Sequence, residues 1–207
     1  MTTAADPAFQ TRSSSGDLLY EIDDHVATIT LNRPDRMNAI NGPMLEALSA
    51  QLVACQKDTN VRAIILTGAG RGFCAGLDLQ EQGERLKHES ESDGTSSSFS
   101  LFDWRDAPPT VIYRMDKPII CALNGAAAGY GMDMALLCDI RIASDNARFA
   151  MPEVLFDLPS VIESALFPRL IGWGRTCWLI YRGDAIDAET ALRWGLVAQV
   201  VPTANLD

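Results

Sequence analysis

Residues 117–139, KPIICALNGAAAGYGMDMALLCD, decide the fold. Ile119 to Leu123 is a short apolar run bounded by Pro118 and Asn124, the pattern of a fully buried strand. Gly125, Gly129 and Gly131 follow within seven positions, separated by alanines and one tyrosine. A glycine turn lets the backbone approach a ligand closely and take φ values that other residues resist. MDMALLC then opens a helix with Asp133 in its first turns. N–H groups at a helix start lack intrahelical partners, so they can hold a developing negative charge. Strand, glycine turn, helix start and carboxylate together predict an oxyanion site.

A second stretch repeats the pattern. VRAIILTGAGRGFCAGLDLQE runs from a buried strand, Val61 to Leu66, through Gly68, Gly70, Gly72 and Gly76 into a helix start. Upstream, Leu18 to Leu31 reads as two strands joined at Asp23-Asp24, a turn-favouring pair. Ala27, Ile29 and Leu31 alternate with threonines, the period of a half-buried strand. Gly42-Pro43 starts a helix with Met44, Leu45, Leu48, Leu52 and Val53 on one face. Strand, helix and strand at this spacing imply an α/β chain with a mainly parallel sheet.

Downstream, residues 139–151 predict two short strands around Ser144-Asp145-Asn146, delivering Met151-Pro152-Glu153 to a strand end. Proline cannot continue a central ladder, so Glu153 is expected to leave the sheet into a cavity. Ser160 is placed to cap a helix running to about Leu170 with Glu163 as its box partner. The alternative role for Glu163 is a third acid near the pocket. A helix over about 174–182 follows, then one capped by Asp187 and ended by Gly195, then the strand VAQVV. Between the glycine stretches, residues after Asp78 predict a polar helix, 90–100 a low-complexity loop, and Phe99 to Trp104 an apolar segment. Residues 1–16 are polar and predict a disordered segment ahead of one domain, 17–207.

The charge of −10 and pI near 4.6 exclude the clustered positive surface that nucleic acid requires. No apolar run reaches the roughly 18 residues of a membrane span. The N-terminal stretch has no signal-peptide core, and the chain's last three residues are not a peroxisomal signal. Cys55, Cys74, Cys121, Cys138 and Cys177 form no CxxC pair, so reduced core thiols and a cytoplasmic location are expected. No metal-ligand spacing occurs.

These blocks resemble the crotonase, or enoyl-CoA hydratase/isomerase, superfamily. The matching residues are Asn32-Arg33-Pro34 with Asn38-Ala39, Phe73-Cys74-Ala75-Gly76-Leu77-Asp78, Lys117-Pro118 through Asn124-Gly125, and Ala135 through Arg141. Met151-Pro152-Glu153 and Pro168-Arg169-Leu170-Ile171-Gly172 follow in order, so the likeness covers about residues 18–203. It implies a crotonase-like fold of repeated ββα units, mainly parallel sheets with surrounding helices. It implies acyl-CoA thioester as the partner, no cofactor beyond the coenzyme A of the substrate, and Phe99 to Trp104 helping to roof the acyl pocket. Members usually continue into a helical tail over the pocket or a neighbouring subunit. Here the chain stops at Asp207, so the usual trimer or hexamer is left open and exposed apolar surface is expected.

By the same resemblance the oxyanion donors are the backbone N–H groups of Leu77 and Tyr130, and the two hydratase carboxylates are Asp133 and Glu153. Arg36 falls near the CoA phosphates, with Ala75, Gly76, Asp78 and Gly129 also at the substrate. Donation from the backbone tolerates Tyr130, where glycine is common, if its φ stays negative. Asp133 stands where hydratases carry Glu. The Asp/Glu pair also resembles dienoyl-CoA isomerases, whose third acid would fall near Ser160. From Glu153 to Pro159 the spacing is one residue short, and Asp157 replaces a usual glycine. Two fixed donors at a thioester oxygen make an enolate accessible. Paired carboxylates can move both protons of hydration if repulsion raises one pKa. The implied function is enoyl-CoA hydration. The alternatives are double-bond isomerisation and acyl-CoA binding without turnover. Glu153 is expected to transfer the proton with water or the α-carbon. Asp133, which the helix dipole should keep ionised, would orient water or act as second base.

Overall fold

A computed structural model of the chain describes residues 16–81, 107–160 and 162–206. All but Gly16 of the disordered segment expected over 1–16, the bulk of the polar helix after Asp78, the low-complexity loop and the roof segment Phe99 to Trp104 lie outside the described residues.

Strands β1 (Leu18–Asp23) and β2 (Val26–Leu31) form the expected hairpin, paired from Leu18 opposite Leu31 to Asp23 opposite Val26. The turn falls one residue later than expected. Asp24 and His25 both have positive φ, 39° and 69°, which suits a two-residue turn in a twisted hairpin. The His25 ring Nδ1 donates to the Asn60 carbonyl at 2.8 Å and pins this turn to the next connection. Asn41 caps helix α1 (Gly42–Lys57), its side chain accepting from the Met44 N–H at 2.9 Å. The buried face of α1 carries Met44, Leu45, Leu48, Leu52 and Cys55; Cys55 takes the place expected of Val53 because it completes the helical period.

β3 (Ala63–Gly68) pairs in parallel with β2, and this register starts it two residues later than the apolar run suggests. β4 (Gly72–Cys74) leaves for a second sheet. After α2 (Pro108–Tyr113), which the sequence reading missed, β5 (Ile119–Leu123) returns beside β3 and β6 (Ala126–Ala128) beside β4. The glycine-rich stretch is therefore not one loop. Its alanines are a strand, and its glycines are the two ends. α3 (Tyr130–Leu137), β7 (Ile140–Ser144) and β8 (Arg148–Ala150) repeat the step. A 3₁₀ turn over Pro152–Phe156 leads on to α4 (Glu163–Ile171) and α5 (Trp173–Arg182). β9 (Ile186–Asp187), α6 (Ala188–Trp194) and β10 (Gln199–Val201) finish the described chain, with Asp187 capping α6 and Gly195 ending it at φ 81° as expected.

The larger sheet has the order β1-β2-β3-β5-β7-β10 and is parallel beyond the first hairpin. The smaller has the order β4-β6-β8-β9, with the last pair antiparallel. Each ββα step drops one strand into each sheet, so β7 and β8 are not a hairpin although a turn joins them. Phe73, Phe149 and Phe167 are among the largest fully buried side chains. Cys55, Cys74, Cys121 and Cys138 are buried free thiols. The Arg141 guanidinium donates to the Ala135, Leu136 and Cys138 carbonyls, satisfying the C-terminal end of α3. Among the described residues no helix is long and apolar enough to cross a membrane.

Candidate active site

The first glycine turn is held by a side-chain brace. Asn38 is fully buried with φ 54°; its Oδ1 accepts from the Arg33 N–H at 2.8 Å, and its Nδ2 donates to the Ala69 and Gly72 carbonyls. Arg33 bonds the Ala39 carbonyl and pairs with Asp78 at 3.1 Å. From the second stretch, Asn124 accepts from the Gly68 N–H and donates to the Gly70 and Gly72 carbonyls. Ile40 N–H donates to the Gly76 carbonyl at 2.8 Å and Asp78 N–H to the Ile40 carbonyl at 2.9 Å. This short parallel bridge leaves the Leu77 N–H on the side away from Ile40.

The second turn is held by the absence of side chains. A Cβ on Gly131 would lie 2.5 Å from the Cys74 carbonyl oxygen, so only glycine lets α3 press on β4. A Cβ on Gly76, whose φ is 100°, would lie 3.1 Å from the Ala128 oxygen and 3.5 Å from the Tyr130 nitrogen. The two turns therefore touch, and the Leu77 and Tyr130 N–H groups share one wall. Tyr130 is the first residue of α3 and is not among the residues with positive φ, so its N–H is a normal orphan donor.

Opposite stands the Pro152–Phe156 turn. Asp157 closes it with φ 56° and the Leu158 N–H donates to the Glu153 carbonyl at 3.0 Å, a left-handed position that aspartate accepts in place of glycine. Glu153 packs over Gly129, where a Cβ would come within 2.8 Å of its Oε1. Between these walls lies a cavity of about 510 Å³. Ala75, Gly76, Leu77, Gly129, Tyr130, Asp133 and Glu153 all line it, as does Glu163; Leu79, Phe156, Leu158, Pro159 and Ile162 supply apolar surface.

Two residues expected at the substrate do not line this cavity. The Asp78 carboxylate is engaged by Arg33, which holds it below its usual range although burial pushes the other way. Arg36 is exposed on the 3₁₀ turn Pro34–Arg36, near Asp78. Both bracket the first turn from outside.

The capping role expected for Glu163 is overturned. α4 begins at Glu163 with no side-chain cap, and Glu163 is 2% exposed with an unpaired Oε1. It is the third acid of the cavity. Asp133 Oδ1 and Glu153 Oε2 are likewise buried without partners among the described residues. Burial, then the hydrogen bond and charge of Glu163, then the charge of Glu153, push the Asp133 carboxyl up to about 9. The ionised Asp133 expected from the helix dipole is thus corrected, because desolvation and two like charges outweigh a partial dipole. Glu153 is raised too, by burial first and by Glu163, against its own N–H. The signal for Glu163 was its spacing: it lies at the start of an amphipathic helix that follows Glu153 by a single short loop.

The 3₁₀ wall is also unusually apolar on its outer side. Leu155 is 65% exposed and Val154 is exposed beside it, while Phe156 and Leu158, also exposed, line the cavity; elsewhere Trp173, Trp178 and Tyr181 of α5 are exposed as well.

Residues 21–207 match the family model described as enoyl-CoA hydratase/isomerase. The chain is 37% identical over 192 residues to the 1,2-epoxyphenylacetyl-CoA isomerase of Escherichia coli K12, covering 91% of this chain and 71% of that protein. It is equally 37% identical to the short-chain-enoyl-CoA hydratase of Clostridium acetobutylicum, covering 92% and 70%. Among solved structures, an enoyl-CoA hydratase from Mycobacterium marinum superposes with a TM-score of 0.80 at 35% identity, covering 92% of this chain and 86% of that one. With the ββα repeat, the paired glycine turns and these relatives in agreement, the chain belongs to the enoyl-CoA hydratase/isomerase family.

Proposed function

We propose that this chain hydrates a 2-enoyl-CoA thioester. The observation that carries the reading is one apolar cavity bearing two orphan backbone donors on one wall and carboxyls with raised pKa facing them. A thioester oxygen between the Leu77 and Tyr130 N–H groups would take up charge as the enolate forms. Glu153, packed on Gly129 beside the Tyr130 donor, would face the α-carbon of a substrate so placed. In hydration the water oxygen bonds the β-carbon, the water proton passes to the Asp133 side, and Glu153 delivers a proton to the α-carbon. The proton returns to Glu153 through the next water. Arg36, exposed and cationic beside the first turn, would meet the CoA phosphates.

The third carboxyl favours a second reading, double-bond isomerisation, in which a proton leaves one carbon and returns at another. Incubation with a panel of enoyl-CoA thioesters followed by mass spectrometry separates the two. Hydration adds the mass of one water. Isomerisation leaves the mass unchanged and moves the double bond. Bound but unaltered thioester across the panel overturns both and leaves a binding protein.

A further inference from the structure

The mechanism above uses two of the three cavity acids. Glu163 is more deeply buried than either, it lines the cavity, and one of its oxygens has no partner among the described residues. Its side chain and its backbone N–H both bond the Asp133 carboxyl. Two carboxyls can share a hydrogen bond only if a proton lies between them. We propose that Glu163 is a positioning residue for Asp133: the two carboxyls share one proton across their hydrogen bond and act as a single acid–base unit in the cavity. The inference rests on the reading that Asp133 works on the attacking water.

The surroundings support one shared proton over two charges. α3 packs against α4, α2, β4 and β6. α4 brings Glu163 and the 3₁₀ turn brings Glu153, both acidic, while Arg169, in the last turn of α4, is exposed. Tyr130 from α3 itself is half-buried, and its hydroxyl is raised by burial first and then by the Asp133 charge. β4 contributes Cys74, a thiol raised to about 12 by burial; β6 is three alanines; α2 offers Tyr113, which is 74% exposed. Arg141 lies at the far end of α3, spent on carbonyls. None of these groups brings a cation to offset a second negative charge.

The unit solves a problem that a lone aspartate leaves. Asp133 needs a fixed carboxyl orientation to hold the water and a negative oxygen to take its proton. The shared proton supplies both: it stays between the two carboxyls and locks their orientation, while the pair keeps one negative charge and an outer oxygen of Asp133 accepts from the water. When the water adds, its proton joins the pair, and it leaves again when Glu153 is recharged.

The test compares the parent, Asp133→Asn, Glu163→Gln and Glu163→Asp by infrared spectroscopy of the carboxyl region and by the pH dependence of kcat. The parent should show, apart from a Glu153 band that persists in all these variants, a buried protonated-carboxyl band at pH 7.5 that Asp133→Asn removes. Glu163→Gln, which keeps the shape but not the charge, should also lose the band at pH 7.5 and shift the alkaline limb of kcat down by at least one pH unit. Glu163→Asp keeps the charge one methylene further away and should fall between, which distinguishes a proton-sharing role from packing. An unchanged band and an unmoved limb in Glu163→Gln overturn the inference. If the parent turns over no thioester, the proposed reaction fails, while the infrared band still decides whether the proton is shared.

Discussion

The two walls of the cavity are built by opposite means. The donor wall works through backbone N–H groups, and side chains such as Asn38, Arg33 and Asn124 only hold that backbone in place. The acids would work through side chains brought from three elements: Asp133 from α3, Glu153 from the Pro152–Phe156 turn and Glu163 from α4. On the donor wall, side-chain identity at Leu77 or Tyr130 should matter little and a single Cβ on a glycine should matter greatly. On the acid wall one atom of a carboxyl should matter most.

The sharpest contrast lies between the two principal acids. Removing a positioned acid–base group costs about 10²–10⁴ in rate. Glu153→Gln should lose that much in kcat with thioester affinity nearly unchanged, and should also lose solvent-deuterium exchange at the α-carbon of a saturated acyl-CoA. Asp133→Asn should lose hydration to a similar degree yet keep exchange, because exchange needs only Glu153 and the oxyanion donors. Exchange as fast as the parent in Glu153→Gln would move the base to Asp133 or Glu163.

Gly76→Ala tests the donor wall without touching a carboxyl. The new Cβ sits 3.1 Å from the Ala128 oxygen at a backbone φ of 100°, so the two turns must separate. Losing one oxyanion donor costs about 10²–10³ in kcat, and the variant should fall in that range with its pH profile unmoved. Leu77→Ala, in contrast, should stay within about tenfold, since its donor belongs to the backbone. If the two variants fall equally, the division between the walls is wrong.

A smaller effect is expected at Arg36. It is exposed, so its attraction for phosphates is screened over a Debye length of about 8–10 Å at ordinary salt. Arg36→Ala should weaken acyl-CoA binding several-fold at low ionic strength and much less at high, by calorimetry. An equal loss at both would point to a specific contact, and no loss would remove Arg36 from the site.

The two tight turns were legible in the sequence because their glycines crowd after apolar runs. Gly76, Gly129 and Gly131 each sit where a Cβ would meet backbone or a carboxyl. Strands β2, β5 and β10 were legible from apolar runs and alternation. Ala126–Ala128 was not, because three alanines between glycines carry neither signal, and pairing with β4 and β8 makes them a strand. Asp78, placed at the substrate by resemblance, is instead engaged by Arg33, which only the fold brings to it from 45 residues away. Glu163 was hidden by an equally good local reading. Ser160 and Glu163 have the spacing of a capping box, and what decides against it is the tertiary placement of α4 against Asp133.

The least of the expected effects is on stability, and its sign separates the walls once more. Asp133 carries a folded-state pKa raised from 3.8 to about 9. The folded state therefore binds more protons than the unfolded chain across that interval, and stability falls as pH rises through it. Asparagine has nearly the shape of the protonated acid and cannot ionise. Asp133→Asn should thus be more stable than the parent above pH 5, with the gain growing toward pH 9 and vanishing near pH 4. At pH 8 a gain of about 1 kcal/mol corresponds to about 2–4 °C in Tm for a chain of this size, an expected trade of function against stability at a strained site. Gly76→Ala should lower Tm at every pH, because its strain is steric and carries no proton. Differential scanning calorimetry from pH 5 to 9 reads both; an Asp133→Asn curve parallel to the parent's would mean that Asp133 ionises freely in the folded protein.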